Sequence, residues 1–163
     1  MRVGIFGGSF DPIHHGHLLA ASALAEVLAL DVVRLVVARR QPLKGGGHGA
    51  APEHRGAMTV LAVSGHPVLV ADRSELEREG PSYMVDTLRG FRVGLPSAEL
   101  VLLLGADAAV EFPKWREPEA IRALARVEVF SRQGSGGEGL PVYGWNRRLA
   151  LAGTGSWPPL QNG

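Results

Sequence analysis

Short apolar, β-branched runs alternate along this chain with longer stretches of helical period. That alternation is the pattern of a parallel α/β sheet. Residues 3–6, 32–38, 68–71, 100–104 and 127–130 read as strands. The run Leu100-Val101-Leu102-Leu103-Leu104 is continuously apolar, as expected of a strand covered on both faces. An apolar helix follows His15 and extends over residues 18–30. A second covers 52–64, with Glu53 in its first turn, where a carboxylate suits the helix dipole, and Met58, Leu61 and Ala62 on its apolar stripe. Ser82 reads as the N-cap of a third helix through Leu88 and Phe91, and residues 118–125 form another. Right-handed crossovers make a doubly wound parallel sheet the simplest topology. The reading is one α/β domain over residues 1–132. Beyond Arg132 the periodicity fades. Residues 134–139 are rich in Gly, and Trp157-Pro158-Pro159 fits neither a helix nor a central strand. Residues 133–163 are therefore expected as an atypical C-terminal segment that packs on, or trails from, the same domain.

Composition narrows the function without naming it. The 163 residues suit one domain with a real core, and no internal repeat is visible. A formal charge of +1 argues against a broad nucleic-acid surface. With no Cys, disulfide and thiolate chemistry are excluded. No apolar run reaches membrane-spanning length. Met1-Arg2-Val3 enters a strand directly, which leaves no room for a signal peptide and makes a cytoplasmic location the expectation.

The chemistry concentrates at the strand ends, where open α/β sheets bind ligands. The string Phe6-Gly7-Gly8-Ser9-Phe10-Asp11-Pro12-Ile13-His14-His15-Gly16-His17 joins the first strand to the first helix. Two glycines let backbone approach a bulky ligand, and the helix N-terminus aims N–H groups and positive dipole at the same spot. His14 and His17 add two imidazoles there, and such a place suits phosphate. The plainer alternative is a histidine cluster that only caps the helix or takes adventitious metal. Three further features fall on the same edge. Lys44 follows the second strand, as a phosphate-neutralising cation or a solvated loop lysine. Gly105-Ala106-Asp107 follows the fourth strand. There Asp107 reads either as an acceptor for ribose hydroxyls or adenine, or as an N-cap of residues 108–112. Ser131-Arg132 follows the fifth, with Arg132 reaching phosphate oxygens or lying on the surface. His48, His54 and His66 read as surface groups.

The G-G-S-F-D-P-x-H-x-G-H string resembles the H-x-G-H signature of the nucleotidyltransferase superfamily, in the form carried by its nicotinate mononucleotide adenylyltransferase branch. The resemblance implies a Rossmann-like nucleotidyltransferase fold. It implies that His14 and His17 donate hydrogen bonds to the α-phosphate and its neighbours as charge builds. Gly7, Gly8, Ser9 and Phe10 then line the phosphate cradle, with Lys44, Gly105, Asp107 and Arg132 completing the ATP site. Mg²⁺ is expected to arrive bound to ATP's phosphates, with no metal site in the protein. A second stretch, from Glu75-Leu76-Glu77-Arg78 through Gly80-Pro81-Ser82-Tyr83-Met84 to Thr87-Leu88, is similar to that branch's E-L-x-R-x-G-P-S-Y-T-x-D-T-L segment, and Trp115 matches as well. In that branch the region holds the pyridine nucleotide. The resemblance thus implies that Ser82, Thr87 and the Tyr83 and Met84 amides bind it while Trp115 stacks on the ring. Met84 stands where the branch usually has Thr. Arg55 and Met58 fit its R-x-x-M helix and read as structural.

The implied reaction joins ATP and nicotinate mononucleotide into deamido-NAD and pyrophosphate, with no covalent protein intermediate. The implied partners are these small molecules, with no nucleic acid or membrane, and a homo-oligomer is an open expectation. The resemblance stops near Arg132. The I-S-S-T-x-I-R segment that usually closes these chains is not matched by Thr154-Gly155-Ser156, and Arg147 and Arg148 have no supporting spacing. Two rival readings follow. One is a phosphopantetheine adenylyltransferase, which usually carries T-x-G-H and lacks the segment from Ser82 to Leu88. The other is a nucleotide-binding protein whose altered tail impairs turnover.

Overall fold

The computed structural model describes residues 1–43, 49–132 and 143–145. Strand β1 (Arg2–Gly8) lies at the centre of the sheet, between β2 (Val32–Val37) and β4 (Glu99–Gly105). Strands β3 (Leu69–Asp72), β5 (Arg126–Arg132) and β6 (Tyr143–Trp145) complete the order β3-β2-β1-β4-β5-β6. The first five strands run parallel, and β6 pairs antiparallel with β5. The chain winds outward from β1 in both directions, so a crevice opens between the carboxyl ends of β1 and β4. Ligands bind at such reversals of strand order.

Helices cover both faces of the sheet. One face carries α1 (His15–Val27) and α2 (Pro52–Ala62). Its apolar cluster joins Phe6, Leu24, Val33, Leu35, Leu103 and Phe130. The other carries α3 (Met84–Gly94) and α5 (Pro118–Leu124), and its cluster joins Ile5, Val36, Val85, Leu88, Leu102 and Ile121. Alternate residues of β1 thus feed two cores, which explains why the strands read as unbroken apolar runs. A short helix α4 (Ala106–Glu111) and a single 3-10 turn (Phe112–Lys114) connect β4 to α5.

Four expectations need correction. Helix α2 buries Arg55, Gly56 and Thr59, whereas Leu61 is 75% exposed. The apolar stripe misled because Arg55 is satisfied where it lies. Its guanidinium donates to the carbonyls of Ser9 (2.6 Å), Ala38 (2.7 Å), Arg39 (3.0 Å) and Ala50 (3.2 Å). Burial pushes its pKa down, while Asp11 and Glu53 oppose the shift. Ser82 does not cap α3. The N-cap is Tyr83, and the Ser82 hydroxyl accepts instead from the Arg39 amide at 2.9 Å. Ser131 and Arg132 belong to β5 itself, paired with Gly144 and Tyr143, because the strand runs on to meet β6. That strand lies in a segment where no periodicity announced it. Lastly, His66 is half-buried. Its Nδ1 accepts from the Val68 and Leu69 amides at 3.3 and 3.2 Å, and its Nε2 lies 3.1 Å from the Ser22 hydroxyl.

Candidate active site

Two connected cavities occupy the crevice at the sheet's carboxyl edge. The smaller, about 340 Å³, is walled by Gly7, Gly8, Ser9, Phe10, His14 and His17. The larger, about 910 Å³, runs from Gly7 and Gly8 past Tyr83 and Met84 to Gly105, Asp107 and Trp115. Phe6, Gly7, Gly8 and Gln41 belong to both, so the two cavities meet where β1 ends.

The local chemistry of the smaller cavity follows from its turn. Phe10 adopts a left-handed backbone conformation (φ 46°), with its ring buried edge-on against Phe6 and His17. A bulky side chain held there pins the turn from beneath, and strain of this kind persists only where packing over-determines it. The Asp11 carboxylate accepts from the Gly49 and Ala50 amides at 2.6 and 3.1 Å, tying the turn to the start of α2. Arg55 holds the same turn through the Ser9 carbonyl.

The two imidazoles do cap the helix, and the cap aims them. His14 is the N-cap of α1, and its Nδ1 accepts from the Gly16 amide at 3.1 Å. His17, three residues on, accepts the His14 amide at its own Nδ1 at 3.2 Å. The rings stack with centroids 3.8 Å apart. With Nδ1 serving as acceptor in both rings, the required tautomer carries its hydrogen on Nε2. Each ring thereby becomes a fixed donor at a helix N-terminus, an arrangement suited to phosphate oxygens. The sequence posed capping and ligand binding as alternatives, but capping uses Nδ1 of each ring and is compatible with a ligand at Nε2.

The larger cavity is assembled from distant segments. Helix α3 begins after Tyr83 with no side-chain cap, so the amides of its first turn at Met84 and Val85 lack intrahelical partners by construction. The Met84 side chain reaches across to β1. A Cβ built on Gly7 would lie 2.7 Å from the Met84 methyl, so glycine at 7 is what admits that contact. Trp115 is half-buried, with its ring 5.4 Å from Phe112 on one side and the cavity on the other. Asp107 does not cap: Gly105 is the N-cap of α4, and Asp107 sits exposed in the first turn, facing the cavity.

Thr87 lies behind the wall and contributes nothing to the cavity lining. It is 4% exposed, and its hydroxyl donates to Glu75 at 2.5 Å while accepting from Arg78 at 2.5 Å. Glu75, itself 3% exposed, does reach the cavity. Burial raises its pKa above the usual carboxylate value, against hydrogen bonds from Thr87 and Ser82 and the charge of Arg78. Glu75, Gln41, Lys114 and Arg116 line the cavity and were not singled out by the motifs. Glu75 stands at the head of the second matching stretch, which is the signal that could have marked it. Lys44 and the Arg132 side chain lie outside the described residues, as do Arg147, Arg148, Thr154 and Ser156. Among the described residues no three His, Asp or Glu side chains converge as metal ligands, and no helix is long and apolar enough to cross a membrane.

Comparison with known proteins places this geometry. The cytidylyltransferase-like family model matches residues 5–159. A Thermus thermophilus protein named as a nicotinate-nucleotide adenylyltransferase is 50% identical over 134 residues, covering 82% of this chain and 71% of its own. One of the same name from Roseiflexus is 47% identical over 134 residues, covering 82% of this chain and 66% of its own. Among solved structures, the Plasmodium falciparum nicotinic acid mononucleotide adenylyltransferase complexed with NaAD superposes with a TM-score of 0.68. It is 20% identical and covers 80% of this chain and 64% of that one, so it speaks to the fold alone. The chain belongs to the cytidylyltransferase-like family, in its nicotinate-nucleotide adenylyltransferase branch.

Proposed function

We propose that this protein transfers the adenylyl group of ATP to nicotinate mononucleotide, releasing pyrophosphate and forming deamido-NAD. The observation that carries this reading is the junction of the two cavities at Gly7 and Gly8. One cavity presents fixed imidazole donors, and the other offers an uncapped helix start beside an aromatic ring. In the proposed reaction ATP lays its phosphates across the smaller cavity. The mononucleotide enters the larger one, with its pyridine against Trp115 and its ring carboxylate at the first turn of α3. An anionic carboxylate is favoured there over a neutral amide by the helix dipole.

The mononucleotide's 5′-phosphate oxygen then attacks the α-phosphorus in line, and pyrophosphate departs from the opposite side. The attacking group is already a nucleophile, so the protein has only to align the reactants and stabilise charge. His14 and His17 donate through Nε2 to the oxygens on which charge accumulates. In this reading Asp107, an exposed residue of the cavity lining, accepts from the ATP nucleoside. Mg²⁺ enters as part of the MgATP substrate, where it neutralises charge on the phosphates. The nicotinamide form of the acceptor is a weaker alternative substrate.

Pyrophosphate release with MgATP and each of three acceptors tests the proposal. Nicotinate mononucleotide is expected to support the fastest turnover and nicotinamide mononucleotide slower turnover. Turnover with phosphopantetheine alone, or ATP binding without turnover, would overturn it.

A further inference from the structure

The loop that carries Trp115 is fastened to α3 at two points. At the first, the Arg116 guanidinium lies over the Tyr83 ring, 4.7 Å from its centroid. At the second, Glu117 accepts both terminal nitrogens of Arg89, at 2.8 and 3.1 Å. Tyr83 is the N-cap of α3 and Arg89 lies within the helix. The loop therefore grips the helix whose first turn faces the larger cavity, and Trp115 projects into that cavity from the residue beside the grip.

Glu117 has an unusual backbone for this position. It lies in the left-handed region (φ 51°, ψ 56°), immediately before the proline that opens α5. Glutamate gains nothing there from its backbone, since glycine or asparagine fits better. A non-glycine residue keeps such a conformation only where its side chain or its packing demands it. Here the carboxylate meets the Arg89 fork, with Arg116 Nε 3.9 Å away, and the Glu117 carbonyl accepts the Ile121 amide at the start of α5. A planar guanidinium meeting a carboxylate through two hydrogen bonds fixes direction as well as distance. The charges respond accordingly: Arg89 holds the Glu117 carboxyl below the usual range, and Glu117 raises the Arg89 guanidinium. Asp86 adds a third, longer contact to Arg89 at 3.4 Å. Isolated exposed ion pairs contribute little to stability, so this one is better accounted for by what it positions.

We propose that the Arg89–Glu117 pair is a positioning clamp. It holds the residue 115–117 loop in register with the start of α3, so that the aromatic ring and the helix amides grip the two ends of one flat anionic ligand. The inference rests on the acceptor site proposed above. Arg89 and Glu117 touch no reacting atom, and their effect falls on acceptor binding rather than on phosphoryl transfer.

The test compares Arg89→Ala, Glu117→Gly and the double exchange Arg89→Glu/Glu117→Arg in steady-state assays with MgATP and nicotinate mononucleotide. Melting temperatures are read alongside. Arg89→Ala is expected to raise the acceptor KM about tenfold while kcat and the ATP KM stay within about twofold. Glu117→Gly removes the left-handed strain together with the carboxylate. It is expected to share the KM defect without losing thermal stability, which separates positioning from simple support of the fold. The double exchange is expected to recover part of the acceptor KM. An unchanged acceptor KM in both single variants, with an active wild type, would overturn the clamp alone. So would losses in kcat and both KM values that track a falling melting temperature. A wild type inert toward nicotinate mononucleotide would overturn the acceptor reading and the clamp together.

Discussion

The two halves of the crevice are built by opposite strategies. The half proposed for phosphate is built from one continuous turn, with Gln41, among the described residues, its one wall residue from elsewhere. Residues 6–17 supply its floor, cap and both imidazoles, and contacts from Asp11 and Arg55 fasten it from below. The other half draws on Glu75, Ser82, Tyr83, Met84 and residues 114–116, with Gly105, Asp107 and Ala108 beside them, all brought together only when the sheet forms. A local turn carries its geometry in its own hydrogen bonds. A composite pocket depends on clamps between elements, so the two halves should fail differently when single residues are changed.

The largest effect is expected on the phosphate side. His17→Ala removes an Nε2 donor and is expected to lower kcat about 10² to 10³-fold, the usual cost of losing one charge-stabilising donor. The same substitution removes half of a helix cap, so the melting temperature is expected to fall by only about 3 °C. Near-normal turnover in this variant would contradict the role given to the ring. On the acceptor side Trp115→Ala is expected to act on binding, raising the acceptor KM about tenfold with kcat preserved. A loss confined to kcat would show that the ring serves the chemical step and would erase the contrast between the halves. The smallest effect concerns Glu75. Its carboxyl has a raised pKa in the folded chain, so the folded state binds the extra proton. The associated stability is fully present below the ordinary carboxylate pKa and is lost as pH rises through the raised one. Glu75→Gln lacks this dependence. Its melting temperature relative to wild type is expected to climb as pH goes from about 4 to about 8. A flat difference would show that the Glu75 carboxyl is not desolvated.

The same contrast explains what could be read from the chain. The turn from Phe6 to His17 was legible because its glycines, cap and rings interact within a dozen residues. The buried strands were legible because both faces of each strand meet apolar helices. What escaped depended on which partner folding delivers, whether nine residues away or forty-three. Arg55 reads as structural from its R-x-x-M helix, but the carbonyls of Ser9, Ala38, Arg39 and Ala50 that satisfy it could not be named in advance. Ser82 looks like a cap until it accepts from Arg39. Thr87 looks like a ligand contact until Glu75 and Arg78 engage its hydroxyl. In each case local chemistry permits two roles, and tertiary contacts choose between them. The expectations at Lys44 and the Arg132 side chain fall outside the described residues.

The paired rings at the head of α1 carry one more consequence. Because the inner nitrogen of each is engaged by a main-chain amide, neither imidazole can relay a hydrogen from one side to the other without undoing the helix start. If both rings act as proposed, neither passes a hydrogen to the reacting phosphate, and the rate of the chemical step in heavy water is expected to stay within about twofold of that in ordinary water.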